Sequence, residues 1–428
     1  MRSPLLCLLF CGCASLSLAA DDWPQFRGPT GQGHATATNL PAVVSDTENV
    51  TWKATLPGQG WSSPVVEGGK VWLTTAENDD TSLRALAVQL ATGKLLHNVE
   101  VFAPASSLKI NAKNSHASPT PVVDGSRVYV HFGTLGTACL STRTAQILWT
   151  NTELQIDHRE GAGSSPVICG PNLVVHCDGT DVQYIVALDK ATGAVAWKTA
   201  RSGPLNANED FRKAYSTPLL IEAGGRRQII SPAADHVYAY DPVDGRELWK
   251  IDYEGFSNVP RPVFGGSLLY VCTGYMKPQL WAIRPGTVND RPSGNAGPGS
   301  KAASVNLTQS HVAWKATKQM PANASPLLVG DEIYTVSDQG ILSCLDARSG
   351  EEIWKQRIKG SYSASPLLAD GKIYVASEEG DLLVIEPGRV YKELALNHFD
   401  AKLMASPAAL QSMLLVRTSQ ALYRFEKK

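Results

Sequence analysis

Eight times along the chain a proline opens a short apolar run behind one residue that is, with one exception, small. The copies are Ser63-Pro64-Val65-Val66, Thr120-Pro121-Val122-Val123, Ser165-Pro166-Val167-Ile168, Thr217-Pro218-Leu219-Leu220, Arg261-Pro262-Val263-Phe264, Ser325-Pro326-Leu327-Leu328, Ser365-Pro366-Leu367-Leu368 and Ser406-Pro407-Ala408-Ala409. A turn rich in Gly, Asp or Asn follows each, then a second apolar run, as in Arg127 to Phe132 and Lys372 to Ser377. After a short polar loop comes a third, as in Tyr184 to Asp189 and Asp381 to Glu386. β-branched and aromatic residues fill these runs, and lengths of about six residues predict strands rather than helices. The prolines recur at intervals of roughly 40 to 64 residues, the period of a propeller blade.

A fourth run carries a second signature. Asp189 to Gly193 precedes Trp197, Asp241 to Gly245 precedes Trp249, and Asp346 to Gly350 precedes Trp354; before Trp149 the Gly position is held by Ala145. Asp and Gly suit the tight turn, and the Trp that follows is expected to pack where two blades meet. Trp314 takes this part in the fifth repeat, while His97 and the Tyr391 to Leu394 region stand in its place in the first and seventh. The eighth repeat ends at Phe425 to Lys428 without a fourth strand, and Val50 to Leu56, around Trp52, is a strand without a repeat. Joining the two closes a ring and removes both sheet edges. The expected fold is therefore all-β: an eight-bladed β-propeller of four-stranded antiparallel blades over residues 50–428, closed by an N-terminal strand and preceded by an extension over 21–49.

Composition narrows the function classes. A formal net charge of -1 sets up no global field for nucleic acid. Arg2, the apolar stretch Leu5 to Phe10 and the small residues Ser17 to Ala20 read as a secretory leader over residues 1–20, so that the chain is expected in the periplasm or cell envelope. A competing reading takes Phe10-Cys11-Gly12-Cys13 as a lipoprotein signal with Cys13 acylated. No later run is long enough for a transmembrane span. Past the leader, Cys139, Cys169, Cys177, Cys272 and Cys344 form no close framework and no metal-type pair, so buried free thiols are expected. Residues 285–304, rich in Gly, Pro, Asn and Ser, read as a solvated insertion.

These repeats resemble those of bacterial pyrroloquinoline-quinone-type (PQQ-like) β-propellers, shared by quinoprotein alcohol dehydrogenases and the outer-membrane assembly factor BamB. The segment Trp23-Pro24-Gln25-Phe26-Arg27-Gly28-Pro29 is similar to the start of a group of exported bacterial propellers. The quinoprotein resemblance implies a quinone held over the funnel with calcium, an Asp base and adjacent cysteines. This chain has no Cys-Cys pair and no Cys-Xaa-Xaa-Cys-His. Fold does not carry the chemistry with it.

In a propeller the loops entering the innermost strand and those joining the second strand to the third share one face. On that map the entry loops bring His116, Asp157, His158, Arg159, Glu160, Glu209, Asp210 and Arg261 to one side, and the other loops add Asp178, Asp181, Asp235 and His236. Charge concentrates in repeats two to five, where a ligand or partner face is expected, although polar loops are also ordinary solvated surface. Asp157-His158-Arg159-Glu160 has the groups for general acid and base work and equally those of a salt-bridge network. No Gly-Xaa-Ser-Xaa-Gly elbow, phosphate loop or metal-ligand spacing is present. Catalytic residues and metal ligands are left unassigned. The sequence thus favours a non-catalytic binding or scaffold module for an envelope protein or ligand, BamB-like outer-membrane assembly being one form, with no cofactor. The alternatives are a quinoprotein oxidoreductase, using PQQ with calcium, and a polysaccharide-binding propeller using Trp61, Phe211, Tyr215, Tyr275 and Tyr362.

Overall fold

The computed structural model describes residues 22–290 and 304–428; the leader and Cys13 lie outside them. Eight antiparallel sheets follow one another around a ring. Blade 1 runs Val65–Glu67, Lys70–Glu77, Ser82–Gln89 and Leu95–Phe102 from the axis outward. Blades 2 to 7 repeat this meander over 122–151, 167–200, 219–252, 263–316, 327–357 and 367–398. In blade 8 the three strands of 408–425 are completed by Val50–Thr55, which pairs antiparallel with Ala421–Phe425 as the orphan strand required. All five cysteines of the described residues are buried free thiols.

The tryptophans weld each blade to the next. Trp52, Trp149, Trp314 and Trp354 each donate their indole N–H to a carbonyl at the turn of the following blade, Leu90, Lys190, Ala347 and Gly388 respectively, at 2.9 to 3.0 Å. The turn glycine is needed for this approach. Gly245 has φ +71°, and a Cβ there would lie 2.2 Å from the Trp197 ring. Gly245→Ala is accordingly expected to cost about 2–4 kcal/mol, combining left-handed backbone strain with overpacking. Urea denaturation measures it, and a loss below about 1 kcal/mol would mean the indole yields freely.

Trp249 departs from this scheme. Its indole N–H donates to Gln228 Oε1 at 2.6 Å, and its ring lies under Gly286, at the start of the insertion. The insertion is not simply a solvated loop. Just beyond its far end, Val305–Asn306 form a parallel fifth strand on blade 4, beside Trp249 and Lys250, and Leu307 is buried. Residues 291–303 lie outside the described ones.

Blade 1 carries His97 in the Trp position, opposite Ala87 and stacked on Trp72. In blade 7 the equivalent residue is Ala395, opposite Val384, rather than one of residues 391–394. The physical reason is the ring closure. Blade 8 has no Asp-to-Gly turn between its third and fourth strands, because the two come from opposite ends of the chain, so a Trp would have nothing to dock on. The N-terminal extension fills the gap instead: Leu40 and Val44 are buried in the core between blades 7 and 8. Tyr374 donates to the Pro41 carbonyl, and Asn397 bonds both the Ala42 carbonyl and the Val44 N–H.

The first part of the extension is a strap across the axis. Trp23 pairs with Val66 in blade 1, the Val123 N–H reaches Pro24, Gln32 accepts from Phe264 in blade 5, and residues 33–35 pair with Leu368 in blade 7. These contacts lie at the C-terminal ends of the innermost strands, so the strap seals the end of the channel opposite the entry loops.

The candidate site, an axial funnel

The residues preceding the repeat prolines line the axis at the entry end. The N–H of each donates to the hydroxyl of the next: Ser63 to Thr120, Thr120 to Ser165, Ser165 to Thr217, Arg261 to Ser325, Ser325 to Ser365, Ser365 to Ser406, and Ser406 back to Ser63, at 2.8 to 3.1 Å. Proline cannot donate, so the residue before it supplies the inter-blade bond. The ring is open only between Thr217 and Arg261, because Arg261 has no hydroxyl to accept. Its buried guanidinium instead bonds the carbonyls of Pro218 and Phe26 and the Gln25 amide oxygen, tying the strap to blades 4 and 5. Burial without a carboxylate pushes its pKa down to about 9, as it does for Arg27 beside it. Arg261 therefore belongs to the interior and not to the loop face expected from its position.

Above this ring opens a cavity of about 530 Å³, with Phe26 of the strap at its floor. Trp61 of blade 1 faces it from one side, and Phe256 and Tyr275 of blade 5 from the opposite side. Tyr215, Asn111, Asn114 and Asn323 complete much of the wall, and the charged groups are Lys113, Glu160, Lys213 and Asp338. Each is engaged. Lys113 meets Glu378 at 2.6 Å, Lys213 lies 3.6 Å from both Glu160 and Asp210, and Asp338 accepts from the Ala322 and Asn323 N–H groups and the Asn323 amide. Burial nevertheless raises the Asp338 carboxyl above its ordinary pKa.

Of the charged residues that the sequence gathers on this face, Glu160 lines the funnel, as does Lys113 of the same entry loops. Arg159 turns outward, with φ +61°, and pairs with Asp210 at 3.0 Å; Glu209 is exposed and pairs with Arg212. Asp157 accepts from Thr180, and Asp181 from the Asp157 N–H. The His158 ring is largely enclosed beside Gly133, its pKa held down to about 4 by burial, so the Asp-His-Arg-Glu cluster does not converge on a common point. His116 is buried near Ser107. Asp178 is fully buried in a network with Arg201 and His176, at 3.1 and 3.2 Å. Asp178, Asp235 and His236 do border a common recess between blades 3 and 4, but it is only about 20 Å³, and His236 is occupied by Asp252 at 2.8 Å. Tyr362 is buried, donating to the Lys359 carbonyl, and Phe211 stacks on Phe256; Trp61, Tyr215 and Tyr275 do line the funnel.

Sequence reasoning missed Asp338, Glu378 and Phe26. The first two sit in unremarkable hairpins, and Phe26 reaches the axis only through the strap. Regular recurrence made the serines before the prolines look structural, which they are, while hiding that they also line the cavity.

A family model described as outer membrane protein assembly factor BamB matches the chain at residues 34–152, 78–199, 138–309 and 298–390. The chain belongs to that family of PQQ-like repeat propellers. A curated BamB from Burkholderia pseudomallei (strain K96243) is 26% identical over 225 residues, which cover 45% of this chain and 55% of that protein. The match thus spans about half the length of that relative. Among solved structures, BamB from Moraxella catarrhalis aligns with a TM-score of 0.59 at 13% identity, over 88% of this chain and 99% of that one. A europium-containing methanol dehydrogenase aligns with a TM-score of 0.57 at 10% identity, over 95% and 98%. At such identities the structural matches speak to the fold alone. Among the described residues no helix is long and apolar enough to cross a membrane.

Proposed function

We propose that the protein is a non-catalytic propeller of the cell envelope that takes part in outer-membrane protein assembly by docking its entry-loop face on a protein partner. The observation that carries this reading is the rim of the funnel. Leu108, Leu205, Tyr275 and Met276, from the loops of three different blades, stand 42, 55, 59 and 67% exposed on the same face. Large apolar side chains exposed in the loops of one face support an interaction surface there. Family membership supports this setting, since the matching model is described as an outer membrane protein assembly factor.

The lining argues against the quinoprotein alternative. Pyrroloquinoline quinone is a tricarboxylate held with a divalent cation. No arginine lines the funnel, its two lysines are already paired, and no three His, Cys, Asp or Glu side chains gather as a metal site among the described residues. The residues present do not fit that cofactor. Neither histidine nor cysteine lines the cavity.

The test is co-purification from the outer-membrane fraction of the native host. Replacing Leu108, Leu205 and Met276, none of which lines the cavity, together by Glu is expected to reduce recovery of the assembly machinery by about tenfold or more. Leu396→Glu, on the outer edge of blade 7, serves as the control and should leave recovery unchanged. Equal recovery from all forms would remove the entry-loop face as the docking surface.

A further inference from the structure

From the funnel itself we infer a second site, which shares only Tyr275 with the rim: the cavity binds a neutral, polyhydroxylated small molecule of mono- or disaccharide size, admitted past a bar formed by the loop between blades 1 and 2. Its volume of about 530 Å³ lies within the range of small-molecule sites. The chemistry follows from which groups remain available. The charged side chains of the lining neutralise one another or are held by backbone N–H groups, so an ionic ligand would have to break an existing pair. What stays open among the described residues are the aromatic faces and, of the amides, the Asn323 oxygen and one of its N–H groups; the Asn114 amide is already taken by the Glu160 and Ala162 carbonyls and the Ser118 hydroxyl.

Their placement has a twofold character imposed by the ring. Trp61 and the Phe256–Tyr275 pair come from blades 1 and 5, half a turn apart, and Asn114 and Asn323 come from the entry loops of blades 2 and 6, again half a turn apart. Two aromatic walls facing across the axis suit the C–H faces of a saturated ring, while the Asn323 amide suits one of its hydroxyls. The Trp61 indole N–H is already committed to the Lys113 carbonyl at 3.1 Å, which fixes the ring in position.

The bar is the tip of the loop over residues 103–121. On one side Asn111 and Asn114 are fastened to blade 3, through the Glu160 carboxylate and carbonyl, both at 2.8 Å. On the other, the Lys113 ammonium reaches Glu378 of blade 7 at 2.6 Å. Blades 3 and 7 are diametrically opposed, so the tip spans the mouth. The Lys113–Glu378 pair is part-exposed, and exposed ion pairs hold weakly, which makes it a latch that opens readily.

The experiment is titration of the purified full chain with glucose, maltose and myo-inositol, followed by calorimetry and by indole fluorescence, with glucuronate as an anionic counterpart of the same ring. At least one neutral probe is expected to bind with a Kd of about 1 mM or tighter, and glucuronate about tenfold or more weaker than glucose. Trp61→Ala combined with Tyr275→Ala should abolish binding, and Asn323→Ala, which removes the amide while the Ala322 and residue-323 backbone N–H groups still hold Asp338, should weaken it by about tenfold. Lys113→Met, which opens the latch, should speed dissociation several-fold in stopped-flow traces. Circular dichroism and the melting temperature show whether each variant is folded. The proposal is overturned if none of the neutral probes binds at 10 times that concentration, or if glucuronate binds as well as glucose. Rim docking stands or falls separately, on recovery of the partner.

Discussion

Trp23→Ala is expected to destabilise the chain by about 3–5 kcal/mol, the cost of emptying a large aromatic site in a closed core. The indole is 1% exposed, and its N–H has no hydrogen-bond partner among the described residues, so what is lost is mainly packing and apolar burial. Packing is tight on the strap as well, where a Cβ on Gly28 would come within 2.6 Å of the ring. The effect should spread along the strap, because the Trp23–Val66 backbone pair is its first anchor and the Phe26 carbonyl is a partner of Arg261. Trp23→Phe should recover more than half of the loss. Chemical denaturation gives the energies, and limited proteolysis reports the strap directly: new cleavage between residues 24 and 36 is expected in the alanine form only. A loss below about 1 kcal/mol with no new cleavage would mean that Arg27, His34 and Arg261 hold the strap without it.

Acid is the second large lever. His131 and His176 are each 1% exposed, and burial holds their pKa values down to about 3 and about 4, against an ordinary value near 6.5. Both are therefore neutral in the folded chain at pH 5, where the unfolded chain binds a proton at each. Their folded pKa is the lower one, so the stabilisation is complete above about pH 6.5 and is lost as pH falls towards 4 and 3, at a slope approaching about 1.4 kcal/mol per pH unit for each ring. Glu67 works in the opposite direction, its pKa raised to about 7 by burial and by Asp22, but it is part-exposed and its share is smaller. Denaturation midpoints at pH 7, 5.5 and 4.5 should fall steadily, and His176→Gln should flatten the profile by the contribution of one group. His176 bonds Ser231, Arg201 and the Ala214 carbonyl, so some stability at pH 7 goes with it. A profile unchanged by the substitution would show that His176 titrates normally.

The strap and the histidines show how differently parts of the molecule were written into the sequence. The blades were legible because each is local: strand, turn, strand and Asp-to-Gly turn lie within one repeat, and repetition multiplies the signal. Trp52 was legible for the same reason, as the one strand left without a sheet. The insertion was misread at its start because Gly and Pro content describes backbone freedom and does not reveal that Gly286 packs on the Trp249 ring. The seventh Trp position was misread because Ala395 makes sense only once Leu40 to Val44 of the N-terminal extension are known to occupy the space between blades 7 and 8.

The site was legible only in outline. The sequence placed the correct loops on one face, but charge density pointed to Asp157 to Glu160, whereas the cavity lies on the axis, where one small residue from each blade contributes to the wall. Arg261 illustrates the limit. As a charged residue in an entry loop it reads as surface, yet its side chain runs inward to carbonyls of residues more than two hundred positions earlier.

What the sequence by itself determined is the ring: eight blades, their order, the closing strand and the inter-blade tryptophans, since periodic local signals suffice to specify elements that contact only their neighbours. What only the tertiary structure decided is the axis. The hydroxyl ring, the strap beneath it and the bar above it join residues from opposite blades and from the N-terminal extension, and no local pattern records which side chains meet when a repeat is bent into a circle.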